Sequence, residues 1–231
     1  MKYYKKAFTL SFDDGISQDI RLVQLINRYG LKAAFNLNTG IQSEESRFLI
    51  EGKEIYRMEQ QGLKSLYEGH EIASHGFTHA NLAQLGEKEM REEILRDMDA
   101  IETLYGVRPV GFAYPYGAYD DRVVSCLRNL GIRYARTVVS SHRFNLPEDS
   151  LKMAATCHFR DEKLMELAKE FVEMEPCKPS LFYVWGHSYE LDVYDAWQEI
   201  EEFFAYISGR DDIYYGTNAQ CLRMAECEKS M

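Results

Sequence analysis

The chain has 231 residues, 45% of them apolar and 28% charged, and a formal net charge of −10 at neutral pH. That length and composition fit one α/β domain with a full core and exclude a chain dominated by disorder. The acidic balance excludes a broad nucleic-acid footprint, which needs clustered lysine and arginine, and no stretch approaches the length of a membrane span.

Met1-Lys2-Tyr3-Tyr4-Lys5-Lys6 leads directly into the first predicted strand with no room for a signal sequence, so a cytoplasmic location is expected. The five cysteines, an odd number without CxxC spacing, are expected to be reduced thiols. Residues 7–12 are β-branched and aromatic enough for a buried strand, which ends abruptly in Asp13-Asp14-Gly15. A helix is predicted over 17–29, closed by Gly30, and a second strand over 32–37. Residues 41–53 are charged and weakly periodic, and are expected to form a loop or lid. A helix over about 57–67 precedes a third strand, 71–74, which runs into His75-Gly76-Phe77-Thr78-His79. Met90, Ile94, Met98, Ile101 and Leu104 mark one face of a long helix over 87–105. Strand four, 110–114, ends in Pro115-Tyr116-Gly117 and is followed by a helix over 120–129. Strand five is placed at 132–139, strand six at 151–159, a helix at 161–174 and strand seven at 180–185. A helix over 193–207 and a strand-like 213–215 close the chain. This alternation predicts parallel βαβ units in a single domain.

The residues that carry chemistry share a position. Asp13, Asp14, His75, His79, Tyr116, Arg136 and His187 all fall at or near the C-terminal ends of predicted strands, the rim where α/β barrels collect their active sites. Two adjacent buried carboxylates would repel, so a compensating cation is expected at Asp13-Asp14. Neighbouring side chains at a strand end diverge, so one carboxylate can hold a metal while the other faces a reacting centre. The i, i+4 pair His75 and His79 lies on one side of a turn, and with Asp14 forms a two-His, one-carboxylate set with open positions for water and substrate. The same ligands suit a non-haem Fe(II) oxygenase, but that chemistry gives Asp13 no task, whereas Lewis-acid hydrolysis needs a separate base. His70, His142 and His158 have no partner pattern and read as structural or surface residues. The tyrosines near predicted loops, such as Tyr114, Tyr116, Tyr119 and Tyr189, suit either sugar platforms or half-buried packing.

Taken together, these motifs resemble the polysaccharide deacetylases (carbohydrate esterase family 4, with the nodulation-protein-B homology domain). Ser11-Phe12-Asp13-Asp14-Gly15 is similar to that family's first motif and His75-Gly76-Phe77-Thr78-His79 to its second. Ala113-Tyr114-Pro115-Tyr116-Gly117 is similar to the third, and Trp185-Gly186-His187 to the fifth. The resemblance implies a distorted (β/α) barrel of about seven parallel strands with helices outside. It further implies metal-dependent removal of acetyl groups from an N-acetylated sugar, oligosaccharide or polysaccharide. Carried over, Asp13 is the general base and Asp14, His75 and His79 hold one divalent ion, zinc first, with cobalt, nickel, manganese or iron as alternatives. The Tyr116 backbone N–H completes an oxyanion hole and His187 is the general acid. The expected partner is carbohydrate, with neither nucleic acid nor membrane.

The chain departs from the pattern in places. The third-motif arginine, which in the family pairs with the catalytic aspartate, is Ala113, and Arg136 is the nearest replacement, with an ordinary surface arginine as the alternative. Trp185 stands where the family has leucine, suggesting a bulkier wall for the acetyl-methyl pocket, and the fourth motif has no counterpart. Glu190 either orients His187 or caps the next helix. Two other functions fit the same residues: hydrolysis of a small amide, cyclic imide or ureide, and carbohydrate binding by a relative that has lost activity.

Overall fold

The strand β1 (Lys6–Asp13) is buried along its whole length, and its period of two separates two environments. Phe8, Leu10 and Phe12 join the large cluster under the outer helices, while Thr9 and Ser11 belong to a polar set that leads up to Asp13. The computed structural model describes residues 4–43 and 45–226. Helix α1 (Asp19–Arg28) buries Leu22, Val23, Leu25 and Ile26 and leads to β2 (Ala33–Leu37).

The segment expected to be a loop or lid is instead an antiparallel hairpin, β3 (Arg47–Ile50) and β4 (Lys53–Tyr56). Its tip, Glu51-Gly52, has positive φ at both residues (49° and 77°), the geometry of a two-residue hairpin turn. The hairpin is pinned to the loop after β1, where Ser17 N–H donates to Tyr56 O at 2.9 Å and Met58 N–H to Gly15 O at 3.0 Å.

Helix α2 (Gln60–Leu66) precedes β5 (Glu71–Ser74), and α3 (Glu87–Tyr105) precedes β6 (Gly111–Ala113). Asp120 accepts from the Arg122 and Val123 N–H groups and starts α4 (Asp121–Asn129), which leads to β7 (Tyr134–Ser140). The sixth predicted strand is divided into β8 (Met153–Ala155) and β9 (Cys157–His158) because the segment changes neighbours: β8 pairs with β7 and β9 with the next strand along. After α5 (Leu164–Glu173) comes β10 (Ser180–Gly186). The helix expected over 193–207 starts later, as α7 (Trp197–Ile207), and a short additional helix, α6 (Tyr189–Val193), precedes it, the two separated by a turn at Asp195, where φ is 54°. The strand β11 (Ile213–Tyr215) is followed by α8 (Asn218–Glu226), which no sequence signal marked.

Among the described residues, nine strands form one sheet in the order β8-β7-β6-β5-β2-β1-β10-β9, with β11 beside β1. Every ladder in it is parallel. Thr156, between β8 and β9, donates its N–H to Tyr183 O of β10, so the ring is nearly closed, with helices around it. The expected (β/α) barrel is present. Asn218 of α8 bonds to Thr9 and Tyr183 and packs the barrel interior on the side away from the strand C-termini. Among the described residues no helix is long and apolar enough to cross a membrane. Cys126, Cys157, Cys177 and Cys221 are free thiols; Cys227 lies outside the described residues.

A buried carboxylate ties the rim together. Asp19, fully buried, accepts from Ser188 Oγ and Tyr67 OH, each at 2.5 Å, and so joins α1, the end of α2 and the loop after β10. Burial lifts its pKa from 3.8 to about 7 against those hydrogen bonds. The folded state therefore favours the neutral carboxyl, a contribution fully present below pH 3.8 and lost as pH rises through about 7. Unfolding free energies between pH 4 and 8 should fall by up to about 1.4 kcal/mol per unit in that window. Asp19→Asn should reduce the slope and leave the part due to Asp97, whose pKa burial lifts to about 6; an unchanged slope would remove Asp19 as a source.

Candidate active site

Six of the seven predicted residues, Asp13, Asp14, His75, His79, Tyr116 and His187, line one cavity of about 460 Å³ at the C-terminal rim. Phe48, Ile50 and Arg57 from the hairpin side form part of its wall. The seventh, Arg136, lies beneath the cavity, 1% exposed, and belongs to the interior of β7 rather than to its end.

The two carboxylates diverge as the strand geometry predicts. Asp13 is the last residue of β1, and both its oxygens are held: Asn36 Nδ2 donates to Oδ1 at 2.7 Å and Arg136 Nη2 donates to Oδ2. Burial opposes the charge, but Arg136, His75 and His187 hold the Asp13 carboxyl well below the usual range. Asp14 follows with φ of 80°, a left-handed conformation that aspartate tolerates better than most residues. Gln42 Nε2 donates to its carbonyl at 2.6 Å, and Arg57 Nη2 stands 3.4 Å from Oδ1.

The vacancy at Ala113 is filled sideways. Ala113 and Arg136 are direct partners in the β6–β7 ladder, so the guanidinium has moved over by one strand. Its plane packs on the Trp185 ring, 4.2 Å from Cζ to centroid, a cation–π contact that positions it under Asp13. Trp185 thus forms both a cavity wall and a support for Arg136.

His75 and His79 sit in a compact loop whose shape depends on α3. Sequence periodicity marks the apolar face of α3, but Glu93 and Asp97 are buried too, one turn apart. Asp97 accepts from Ser74 Oγ at 2.5 Å, Thr39 N–H at 2.8 Å and His75 N–H at 3.3 Å. Glu93 accepts from Thr78 N–H and Thr78 Oγ1. These two carboxylates, which the sequence reading missed, clamp the loop at both ends. Their i, i+4 spacing on the inner face was the available signal.

Asp14, His75 and His79 offer one ligand atom each, all within 4.8 Å of one another. The Nδ1 of His75 lies 2.8 Å from Ala113 O, which can only accept, so the proton is on Nδ1 and the Nε2 lone pair is free. Burial lowers the pKa of His75, and burial with the adjacent His75 lowers that of His79 to about 4, so both imidazoles are neutral near pH 7. An oriented neutral imidazole pair with a carboxylate is the donor chemistry of a divalent cation site.

Tyr116 has φ of 59°, and its exposed ring packs against His79 with centroids 4.5 Å apart. His187 Nε2 stands 3.8 Å from Asp13 Oδ2, on the far side of Asp13 from its Asn36 contact. Burial opposes charge on this ring, but Glu190, Asp13 and Asp14 outweigh it and lift its pKa to about 9. Glu190 sits in the first turn of α6, and its Oε2 accepts from the His187 N–H at 3.1 Å. Of the three histidines read as structural or surface residues, His70 bonds Asn27 and His142 bonds Asp161. His158 does have a partner near the cavity: its Nε2 lies 3.0 Å from Glu190, one step from His187, because β9 enters the barrel beside β10.

The family model for polysaccharide deacetylase matches residues 2–135, more than half of the chain. A chitin deacetylase of Pestalotiopsis sp. is 27% identical over 151 residues, covering 65% of this chain and 47% of that protein. A peptidoglycan-N-acetylglucosamine deacetylase of Bacillus cereus is 27% identical over 117 residues, 50% of this chain and 38% of that protein. The chain thus spans less than half the length of these curated relatives. In fold it is similar to the peptidoglycan deacetylase PdaC of Bacillus subtilis, with a TM-score of 0.60, 17% identity, and coverage of 98% of this chain and 94% of that one. The matched motifs and the shared barrel lead to one assignment: the chain belongs to the polysaccharide deacetylase family.

Proposed function

We propose that the protein is a metal-dependent hydrolase that removes the acetyl group from an N-acetylated sugar or oligosaccharide, with the chain acting as one catalytic domain. The observation that carries this reading is Asp13, a buried carboxylate held at both oxygens directly beside three residues whose ligand atoms lie close enough to hold one cation. Asp14, His75 and His79 would hold the ion, zinc first, and when bound it would supply Lewis-acid polarisation of the acyl carbonyl. Asp13 accepts a proton from the attacking water, with its rotamer already set by Asn36 and Arg136. The Tyr116 backbone N–H stabilises the developing oxyanion. His187 delivers a proton to the departing amine, and its raised pKa keeps that proton available near neutrality. The aromatic wall of Trp185, Tyr116 and Tyr189 suits a sugar ring. The charge balance of the chain gives no support to a nucleic-acid partner.

The test pairs elemental analysis with acetate release from chito-oligosaccharides. One ion per chain, lost in His75→Ala and in His79→Ala together with turnover, is the expected result. Either variant retaining stoichiometric metal at this site would refute the ligand assignment. Turnover of cyclic ureides or imides but not of acetylated sugars would move the substrate class, and sugar binding without turnover in the metal-loaded protein would make it a binding relative.

A further inference from the structure

A second group of three possible ligand residues lies beside the cavity: His158, His187 and Glu190. A hydrogen-bonded relay and a cation site are the two arrangements such a trio can adopt, and the proton positions separate them. Arg160 N–H donates to His158 Nδ1 at 3.1 Å, so Nδ1 bears the lone pair and the proton sits on Nε2. That proton points to Glu190 Oε2, 3.0 Å away. A cation would need the Nε2 lone pair, which this tautomer does not have. The same Oε2 accepts from the His187 backbone N–H at 3.1 Å and stands 3.6 Å from the ring nitrogen His187 Nδ1, an ionic contact just beyond hydrogen-bond length. The other ring nitrogen of His187, Nε2, is the one that approaches Asp13. Gly186 makes the arrangement possible, because a Cβ there would collide with the Phe159 ring and crowd His158 Nε2.

We propose that His158 and Glu190 are positioning residues for the reaction: His158 donates to Glu190, whose carboxylate holds Nδ1–H of His187 so that Nε2 faces Asp13 and the substrate. This rests on the deacetylase reading only for what His187 then does, not for the relay itself. The carboxylate lies three residues past His187 in the first turn of α6, whereas the second imidazole comes from β9 and reaches it only because β9 pairs with β10. Contacts of this kind are often long before substrate arrives and tighten in the reacting complex.

Two measurements test it. In protein with its six histidines 15N-labelled, two-bond couplings should give His158 as the Nε2–H tautomer and, above about pH 9 where its ring becomes neutral, His187 as the Nδ1–H tautomer, and Glu190→Gln should abolish the second preference. This needs neither substrate nor turnover, so it stands even if no acetylated sugar is hydrolysed. In the zinc-loaded enzyme, Glu190→Gln and His158→Leu should each lower kcat roughly 10–100-fold at near-constant KM and unchanged metal content. His158→Gln, which keeps a donor near the Nε2 position, should recover most of that loss. A His158 Nδ1–H tautomer in the unmodified protein overturns the proposal. So does a second zinc equivalent that Glu190→Gln removes, or a kcat unchanged in both variants.

Discussion

Asp13→Asn is expected to keep its metal and lose turnover by roughly 10²–10⁴-fold, the usual worth of a positioned general base. The amide has the shape of the carboxylate but cannot accept the proton. The same change also weakens the fold. Asp13 is 2% and Arg136 1% exposed, and the two form a buried ion pair. Removing one member of such a pair leaves an uncompensated charge, at a cost of about 3–5 kcal/mol. The double variant Asp13→Asn/Arg136→Met should therefore recover part of the melting temperature that Asp13→Asn loses, while turnover stays low. If Asp13→Asn alone retains near-native activity against acetylated sugars, Asp13 is a structural partner of Arg136 and the base lies elsewhere.

Arg136→Lys should lower kcat roughly 10–100-fold while leaving metal content intact. The guanidinium does three things that an ammonium cannot do together: Nη2 donates to Asp13, Nη1 donates to Thr137 O at 3.2 Å, and its flat face packs on Trp185. A lysine is a strongly hydrated point charge without that fork or that face. Because Ala113 and Arg136 are register partners, Ala113→Arg in an Arg136→Met background places the cation back on β6 with space vacated beside it. That combination should regain more activity than Arg136→Met alone retains. Equal kcat for Arg136→Lys and the native enzyme would mean that charge alone, not orientation, is what Asp13 requires.

The hairpin wall changes what the cavity presents to a substrate. Phe48 packs edge-on against Tyr189 at 5.6 Å, Arg57 lies over the Phe48 ring at 4.7 Å, and Lys53 Nζ donates to Asp192 O at 2.6 Å. The hairpin therefore spans from the loop after β1 to the helix after His187 and holds both against one side of the cavity. The Arg57 guanidinium beside Asp14 adds positive charge to a site otherwise rich in carboxylates.

What the sequence determined by itself is the alternation of elements, and with it the rim. In a parallel barrel every strand end faces the same way, so Asp13, Asp14, His75, His79, Tyr116 and His187 had to converge once the strands were placed. Local periodicity was enough for β1, β5, β10 and the long α3. Only the tertiary structure decided which neighbours those residues keep. Arg136 reaches Asp13 because β6 and β7 pair with Ala113 opposite Arg136, a register that no local pattern encodes. His158 reaches Glu190 because the 153–158 segment leaves β7 to pair with β10 and closes the barrel. Glu93 and Asp97 of α3 acquire their roles only because the loop of His75 and His79 folds onto them. Charge and spacing along a chain tell where a side chain can point, but the partners of a buried charge are chosen by strand register and barrel closure, which bring together residues more than a hundred positions apart.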